Sequence, residues 1–365
     1  MTHPSPEVPS PAGGVADVVD CDVHNAVPRV RALFPYLPDY WKEQIEQTGF
    51  GGPADNWYPG GAEVSAGAAH TRPPGGGAPG SDLGLLREQV LDARPGVRFA
   101  VLNCAYAVEG VHNPDAAAAL ARAVNDWQIA EWLEREPRLR ASVVVPSGHP
   151  EMAAREVERV GAHPGFVQVL LPVRSAAPYG NRRFHALYEA AVRHDLAVGI
   201  HFGGAPGNAP SAVGWFSSFA AEYGNMASVF QSQLLSLICE GAFDRFPALR
   251  VALIESGCTW LPSLLWRFDK EWKGLRREVP WVRRAPSAYV REHVRLTTQP
   301  FDGPPDPAHL LEIVDQMGSD ELLMFSSDYP HGHADAPARV LLPAGLPDSL
   351  VRKILGDNAR AFYRL

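Results

Sequence analysis

No run in this chain of 365 residues reaches the roughly 18 apolar residues that a membrane-spanning helix needs. No basic stretch precedes an apolar one at the start either, so neither a membrane span nor a secretion leader is expected. Cysteine is scarce. The four present, Cys21, Cys104, Cys239 and Cys258, lie far apart with no CxxC pair, which argues against a zinc knuckle and a disulfide scaffold and points to the cytoplasm. Positive charge is also in short supply. Lys and Arg number 33 against 41 Asp and Glu, the formal net charge is -8, and the arginines are scattered. Nucleic acid and anionic membranes are therefore poor partners, and a small molecule is the better one.

What the chain does have is a large apolar fraction, 46%, dealt out in short β-branched runs. In order these are "DVVDCDV" (17–23), "VRFAVLNC" (97–104), "RASVVVP" (140–146), "FVQVLLP" (166–172), "LAVGIHF" (196–202), "LRVALIE" (249–255), "VRLTTQ" (294–299) and "LLMFSSD" (322–328). Near-continuous apolar runs suit strands buried on both faces. The segments between them, such as "DAAAALARAVNDWQIAEWLERE" and "MASVFQSQLLSLICEGAFDRF", carry apolar residues at helical spacing. Eight strands alternating with helices predict an α/β fold, a (β/α)8 TIM barrel. Residues 17–365 read as one barrel domain behind a disordered tail at 1–16.

Two insertions interrupt the alternation. After strand one, residues 49–82 are too rich in Gly and Pro for regular structure, and they either move freely or fold over the site. After strand five, residues 203–225 carry Trp215, Phe216, Phe219 and Tyr223, an apolar lid or a packed surface loop.

The active site of such a barrel lies at the carboxyl ends of its strands. There this sequence places its least strand-like residues. Alternate spacing puts Asp20, Asp22 and His24 on one face at the end of strand one. Strand five ends in His201, strand six in Glu255, and strand eight in Asp328, with His331 three residues on. Taken singly, each has an ordinary explanation: a core histidine, a helix-capping aspartate, an ion-paired glutamate. Together at one rim they would be costly to bury unpaired, so a divalent cation is the economical account. Imidazole with carboxylate suits zinc, manganese or iron, one ion or two. Asp20 and His331 are candidates for orienting the ligands.

The motifs "DCDVH", "GIHFGG", "ALIESGCTWLP" and "FSSDYPH", in that order along nearly the whole chain, resemble the amidohydrolase-related family that includes aminocarboxymuconate-semialdehyde decarboxylase. The resemblance implies a metal-dependent barrel with Asp22, His24, His201 and Asp328 as ligands. Two departures stand out. Many relatives have His-x-His where this chain has Asp22-x-His24, and a histidine after strand six where this chain has Glu255. The same superfamily contains a dinuclear iron hydroxylase of platensimycin-type diterpenoid biosynthesis, and this chain's carboxylate-rich set is compatible with that chemistry.

Three functions are therefore weighed. The first is metal-activated hydrolysis or non-oxidative decarboxylation of a small carboxylated or acyl substrate, with Glu255 or His331 moving the proton. The second is a non-haem diiron monooxygenase acting on an apolar, diterpenoid acyl-CoA-like substrate. The third is a non-catalytic binding barrel, which fits poorly with a complete ligand set. Asn103, Arg174 and Gln299, at the ends of strands two, four and seven, join Trp215 and Phe219 as expected substrate contacts, although Arg174 equally suits a structural ion pair. Trp260, Leu264, Phe268 and Trp272 at near-helical spacing read as core or as a subunit contact, which leaves a homo-oligomer open.

Overall fold

The computed structural model describes residues 17–53, 67–94, 96–204, 208–304, 306–331 and 341–365; the expected tail at 1–16 lies outside them, as does 54–66 within the first insertion. Eight parallel strands follow one another in chain order: β1 (Val18–Val23), β2 (Val97–Leu102), β3 (Leu139–Val144), β4 (Phe166–Arg174), β5 (Ala197–Gly204), β6 (Val251–Ile254), β7 (Val294–Thr297) and β8 (Leu323–Met324). Backbone bonds from β1 to the segment after β8 close the ring: Cys21 N–H donates to Phe325 O at 2.9 Å and His24 N–H to Tyr329 O at 2.7 Å. This is the (β/α)8 barrel that the eight apolar runs predict. The last run forms only two residues of strand, and from Phe325 onward the chain is held beside β1 by bonds of Phe325, Asp328 and Tyr329 to Cys21, Asp22 and His24.

Two apolar cores form, divided by strand alternation except where the ladders shift register, as at Val167. Inside the ring, Val19, Cys21, Val101, Val167, Leu170, Ala252, Ile254 and Met324 meet Phe362 and Tyr363 of the C-terminal helix (Asn358–Tyr363), which plugs the barrel from the end opposite the site. Outside, the larger core packs helices on strands. The helix Pro114–Gln128 shows how the sequence encodes this layer. Asn113 accepts from the amides of Asp115 and Ala116, Pro114 occupies the first turn where its missing N–H costs nothing, and Ala117, Leu120, Ala121 and Val124 form the buried face.

The second insertion departs from expectation. A helix begins at Phe219, not after residue 225, and runs to Cys239. Ser218 caps it by accepting from Ala221 N–H, and Ala220, Ala221 and Glu222 are good helix formers. Phe219 and Tyr223 thus stand on a helix's first turns. The first insertion does return to the site. Ala68 N–H donates to Pro330 O and Ala26 N–H to Gly80 O. Gly80 has φ +74°, and a Cβ there would come within 2.5 Å of His24 O, so only glycine permits this approach.

Candidate metal centre

β1 delivers Asp22 and His24 to one point and Asp20 to another, because the ladder to β2 changes register between Asp20 and Val23. This corrects the single shared face. Asp20 accepts from Arg94 at 3.0 Å and from Ser327 N–H at 2.8 Å, tying the two ends of the ring together. His24 Nδ1 lies 3.0 Å from Asn103 O; a carbonyl only accepts, so Nδ1 carries the hydrogen and Nε2 is left facing the cluster. Nε2 stands 3.1 Å from Asp328 Oδ1, 3.3 Å from Glu255 Oε1 and 3.7 Å from Asp22 Oδ1. His201 is held in the same way. Its Nδ1 donates to Phe202 O at 2.7 Å, and its Nε2 lies 3.2 Å from Glu255 Oε1 and 3.6 Å from Asp22 Oδ1.

Glu255 and Asp328 occupy the left-handed backbone region, with φ +59° and +57°. For residues with side chains this conformation costs on the order of 1–3 kcal/mol and persists where the surroundings enforce it, typically at functional sites. Here the enforcing bonds are visible. Glu255 N–H donates to Thr297 Oγ1 of β7 and Asp328 N–H to Asp22 O. Asp302 secures the turn after Glu255, accepting from Cys258 N–H and from the Thr259 hydroxyl. His331 N–H donates to Asp328 O, and its Nδ1 sits 2.7 Å from Asp328 Oδ1.

The electrostatics follow from this crowding. Burial alone would depress the His24 and His201 imidazoles, but the surrounding carboxylates outweigh it. His24 is lifted well above its ordinary value by Asp22, Asp328 and Glu255, and His201 to about 10 by Glu255 and Asp22. For Glu255, burial and the Asp328 charge push upward, yet the two imidazoles win and hold it below the usual range. His331 is raised against its burial by the bond to Asp328.

Asp22 Oδ2 is buried without a hydrogen-bond partner, a costly state that a cation beside it would relieve. Two groups of four have ligand atoms within 4.8 Å of one another: Asp22, His24, His201 and Glu255, and His24, Glu255, Asp328 and His331. The groups share His24 and Glu255. The donor set of imidazoles and carboxylates without a thiolate fits a divalent manganese, iron or zinc ion.

The expected substrate contacts divide. Asn103 is fully buried, its amide donating to Asp22 Oδ1 at 2.7 Å and its oxygen accepting from Ser142 and Gln168, so its polar atoms are engaged within the barrel. Gln299 braces the loop after β7, accepting from Phe301 N–H and donating to Leu341 O. Arg174 pairs with Glu222 at 3.1 Å, both nearly sealed from solvent, with its guanidinium 5.7 Å from the Trp215 ring centre. Trp215 is 48% exposed. Phe219 packs edge-on to Tyr223, which lies 4.6 Å from Phe202 between ring centres. Sequence reasoning passed over Phe202, Asp302, Ser142, Gln168 and Tyr363. For Ser142 and Gln168 the signal was present, since each is a polar side chain inside an apolar run.

The amidohydrolase family profile matches residues 19–365. The chain belongs to the amidohydrolase family. It is 28% identical to the gamma-resorcylate decarboxylase of Polaromonas sp. (strain JS666) over 313 residues, 80% of this chain and 93% of that one. The Rhodococcus jostii (strain RHA1) gamma-resorcylate decarboxylase is 27% identical, with 71% of this chain and 80% of that one covered. A crystal structure of a Polaromonas dihydroxybenzoic acid decarboxylase, with bound manganese and the inhibitor 2-nitroresorcinol, shares the fold at TM-score 0.67 and 22% identity, covering 96% of this chain and 98% of that one. The family makes this chain an enzyme, and its cluster of carboxylates and imidazoles is one that could hold a divalent metal ion. No described helix is long and apolar enough to cross a membrane.

Proposed function

We propose that this amidohydrolase is a metal-dependent non-oxidative decarboxylase acting on a small carboxylated, aromatic substrate. The observation that carries the reading is the convergence at the barrel mouth of two overlapping groups, Asp22, His24, His201 and Glu255, and His24, Glu255, Asp328 and His331. The first group, with Asp328 beside it, would hold the cation. When bound, it supplies positive charge that draws in an anionic substrate and offsets negative charge developing as the carboxylate leaves.

The rest is the work of this chain's own groups. His331, with its side chain 26% exposed, is the most open member of the cluster and holds its proton above the ordinary imidazole range. It is placed to deliver that proton to the ring carbon as the C–C bond breaks, the bonding pair stays on the carbon and CO2 departs. Asp328 holds the His331 ring through Nδ1, which fixes the imidazole at the mouth of the cluster. Tyr223, packed ring to ring with Phe202, and Trp215, half exposed against Arg174, are the aromatic groups offered to a substrate after β5. The named relatives are decarboxylases, so oxygen chemistry is not needed to explain the site, and a non-catalytic barrel would leave the ligand cluster without a purpose.

The test is CO2 release from a panel of hydroxylated benzoates by protein reloaded with Mn2+, alongside the metal-free protein and His331→Asn. Metal-dependent CO2 release, lost in His331→Asn with metal still bound, is expected. Hydrolysis of an ester or amide substrate without decarboxylation of any panel member would overturn the reading.

A further inference from the structure

A continuous polar column crosses the apolar interior of the barrel. It starts at Asp22 Oδ1, which accepts from Asn103 Nδ2 at 2.7 Å. Asn103 Oδ1 accepts from Gln168 Nε2 at 2.8 Å and from the Ser142 hydroxyl at 2.5 Å. Gln168 Oε1 accepts from the Tyr363 hydroxyl at 3.0 Å. Asn103, Ser142 and Gln168 are fully buried and Tyr363 is 4% exposed. Tyr363 belongs to the helix that plugs the far end of the barrel, amid the apolar side chains of the inner core.

The direction of every bond in this column is forced from one end. A carboxylate only accepts, so Asn103 must turn its NH2 to Asp22 and its oxygen away. That oxygen requires a donor, so Gln168 presents its NH2 and turns its own oxygen to Tyr363, whose hydroxyl must donate. Three donors are thus aligned head to tail and aimed at Asp22, and aligned bonds in a dry interior polarise one another. The barrel makes room for the arrangement. Gln168 lies beside Ser142 in the β3–β4 ladder, and a Cβ on Gly199 of β5 would stand 2.8 Å from Gln168 Oε1. Filling apolar space needs no such column, and an unfinished one would be costly to bury.

We infer that Tyr363 is a positioning residue for the metal centre, acting through Gln168 and Asn103 to aim Asp22 at the cation from the opposite end of the barrel. The inference rests on Asp22 being a ligand, as proposed above. It predicts that part of the metal affinity is set by a helix that touches neither metal nor substrate, since partners that orient a ligand typically change affinity by about 10- to 100-fold when lost.

The experiment is titration of the metal-free, full-length protein with Mn2+, following the electron paramagnetic resonance signal of free Mn2+, with thermal unfolding of each metal-free variant measured beside it. Tyr363→Phe removes one hydroxyl and is expected to weaken Mn2+ binding roughly tenfold. Gln168→Met cuts the column at its middle, and the double variant should bind no more weakly than Gln168→Met alone. Phe362→Leu, a packing change in the same helix, should lower the unfolding temperature and leave the Mn2+ Kd unchanged. An unchanged Kd in Tyr363→Phe, whatever its stability, would overturn the inference; if that variant fails to fold, an unchanged Kd in Gln168→Met does so. Asp22→Ala separates the two readings. Loss of Mn2+ there with no effect of Tyr363→Phe or Gln168→Met leaves the metal site standing and removes only the column's role, whereas wild-type Mn2+ binding in Asp22→Ala removes the site assignment itself.

Discussion

Glu255 Oε1 lies 3.3 Å from His24 Nε2 and 3.2 Å from His201 Nε2, a carboxylate oxygen set between two imidazole nitrogens whose other nitrogens are tied to backbone carbonyls. That relationship separates a ligand from a base. A base toward substrate needs freedom to reach outward, and this carboxylate is turned into the cluster, below the ordinary acid range and 4% exposed. Glu255→Gln keeps the size and removes the charge. It should lose metal and CO2 release together, by metal analysis and turnover on the same preparation. Full metal content with collapsed turnover would make Glu255 the proton carrier instead.

His201 gives a second version of the same test, because its Nε2 lies against both Glu255 and Asp22. His201→Ala is expected to empty the site and, since its raised imidazole also stabilises the metal-free fold, to lower the unfolding temperature at neutral pH. Retained full metal occupancy would sink the ligand assignment.

The barrel and its rim were legible in the sequence because each follows a strong local rule. Eight β-branched runs have little choice but to be strands, and acids or histidines at their carboxyl ends are conspicuous. What could not be read was whatever depends on the ladder register. Asp20 and Asp22 look equivalent at alternate positions, yet the shift before Val23 sends one to Arg94 and the other to the cluster. Asn103 and Gln299 sit at strand ends as substrate contacts would, and only the three-dimensional bonding shows their amides already engaged. Tyr363 is separated by hundreds of residues from Asp22 at the other end of its hydrogen-bonded column, and no spacing rule links them.

Proton release should accompany metal binding. His201, raised to about 10, and His24, raised well above its ordinary value, keep their protons at neutral pH in the metal-free protein, and a cation must displace them. Mn2+ affinity is therefore expected to rise with pH between about 6 and 9, by about tenfold per unit for each proton released. For stability without metal the sign is opposite. A raised imidazole stabilises the fold fully below its unfolded pKa, ordinarily 6.5, and that contribution is lost as pH rises toward about 10. Mn2+ titrations and thermal unfolding at matched pH values check both, and a pH-independent Kd would show that the rings are already neutral.

The aromatic segment after β5 should govern substrate, not fold. Trp215 is half exposed, so its removal forfeits little packing, and Phe219 is only partly buried at the start of its helix. Trp215→Ala with Phe219→Ala is expected to raise KM several-fold with a stability loss of about 1 kcal/mol or less. Equal losses in binding and stability would return this segment to ordinary packing.

Arg174 is expected to behave in the reverse way. Its guanidinium is 3.1 Å from Glu222, with side chains 6% and 3% exposed, on the strand and helix that flank the site. Breaking a buried pair by removing one partner leaves the other charge stranded and typically costs about 3–5 kcal/mol, whereas replacing both by apolar groups of similar size is often neutral. Arg174→Met should therefore destabilise the protein strongly, and Arg174→Met with Glu222→Met should recover most of the loss, measured by denaturant unfolding of the metal-free chain. If the double variant recovered stability and kept wild-type KM, the pair would be a strut that pins the aromatic segment to β4. A large rise in KM in that stable double variant would instead assign the Arg174 charge to the substrate carboxylate, with Glu222 as the partner that the substrate displaces.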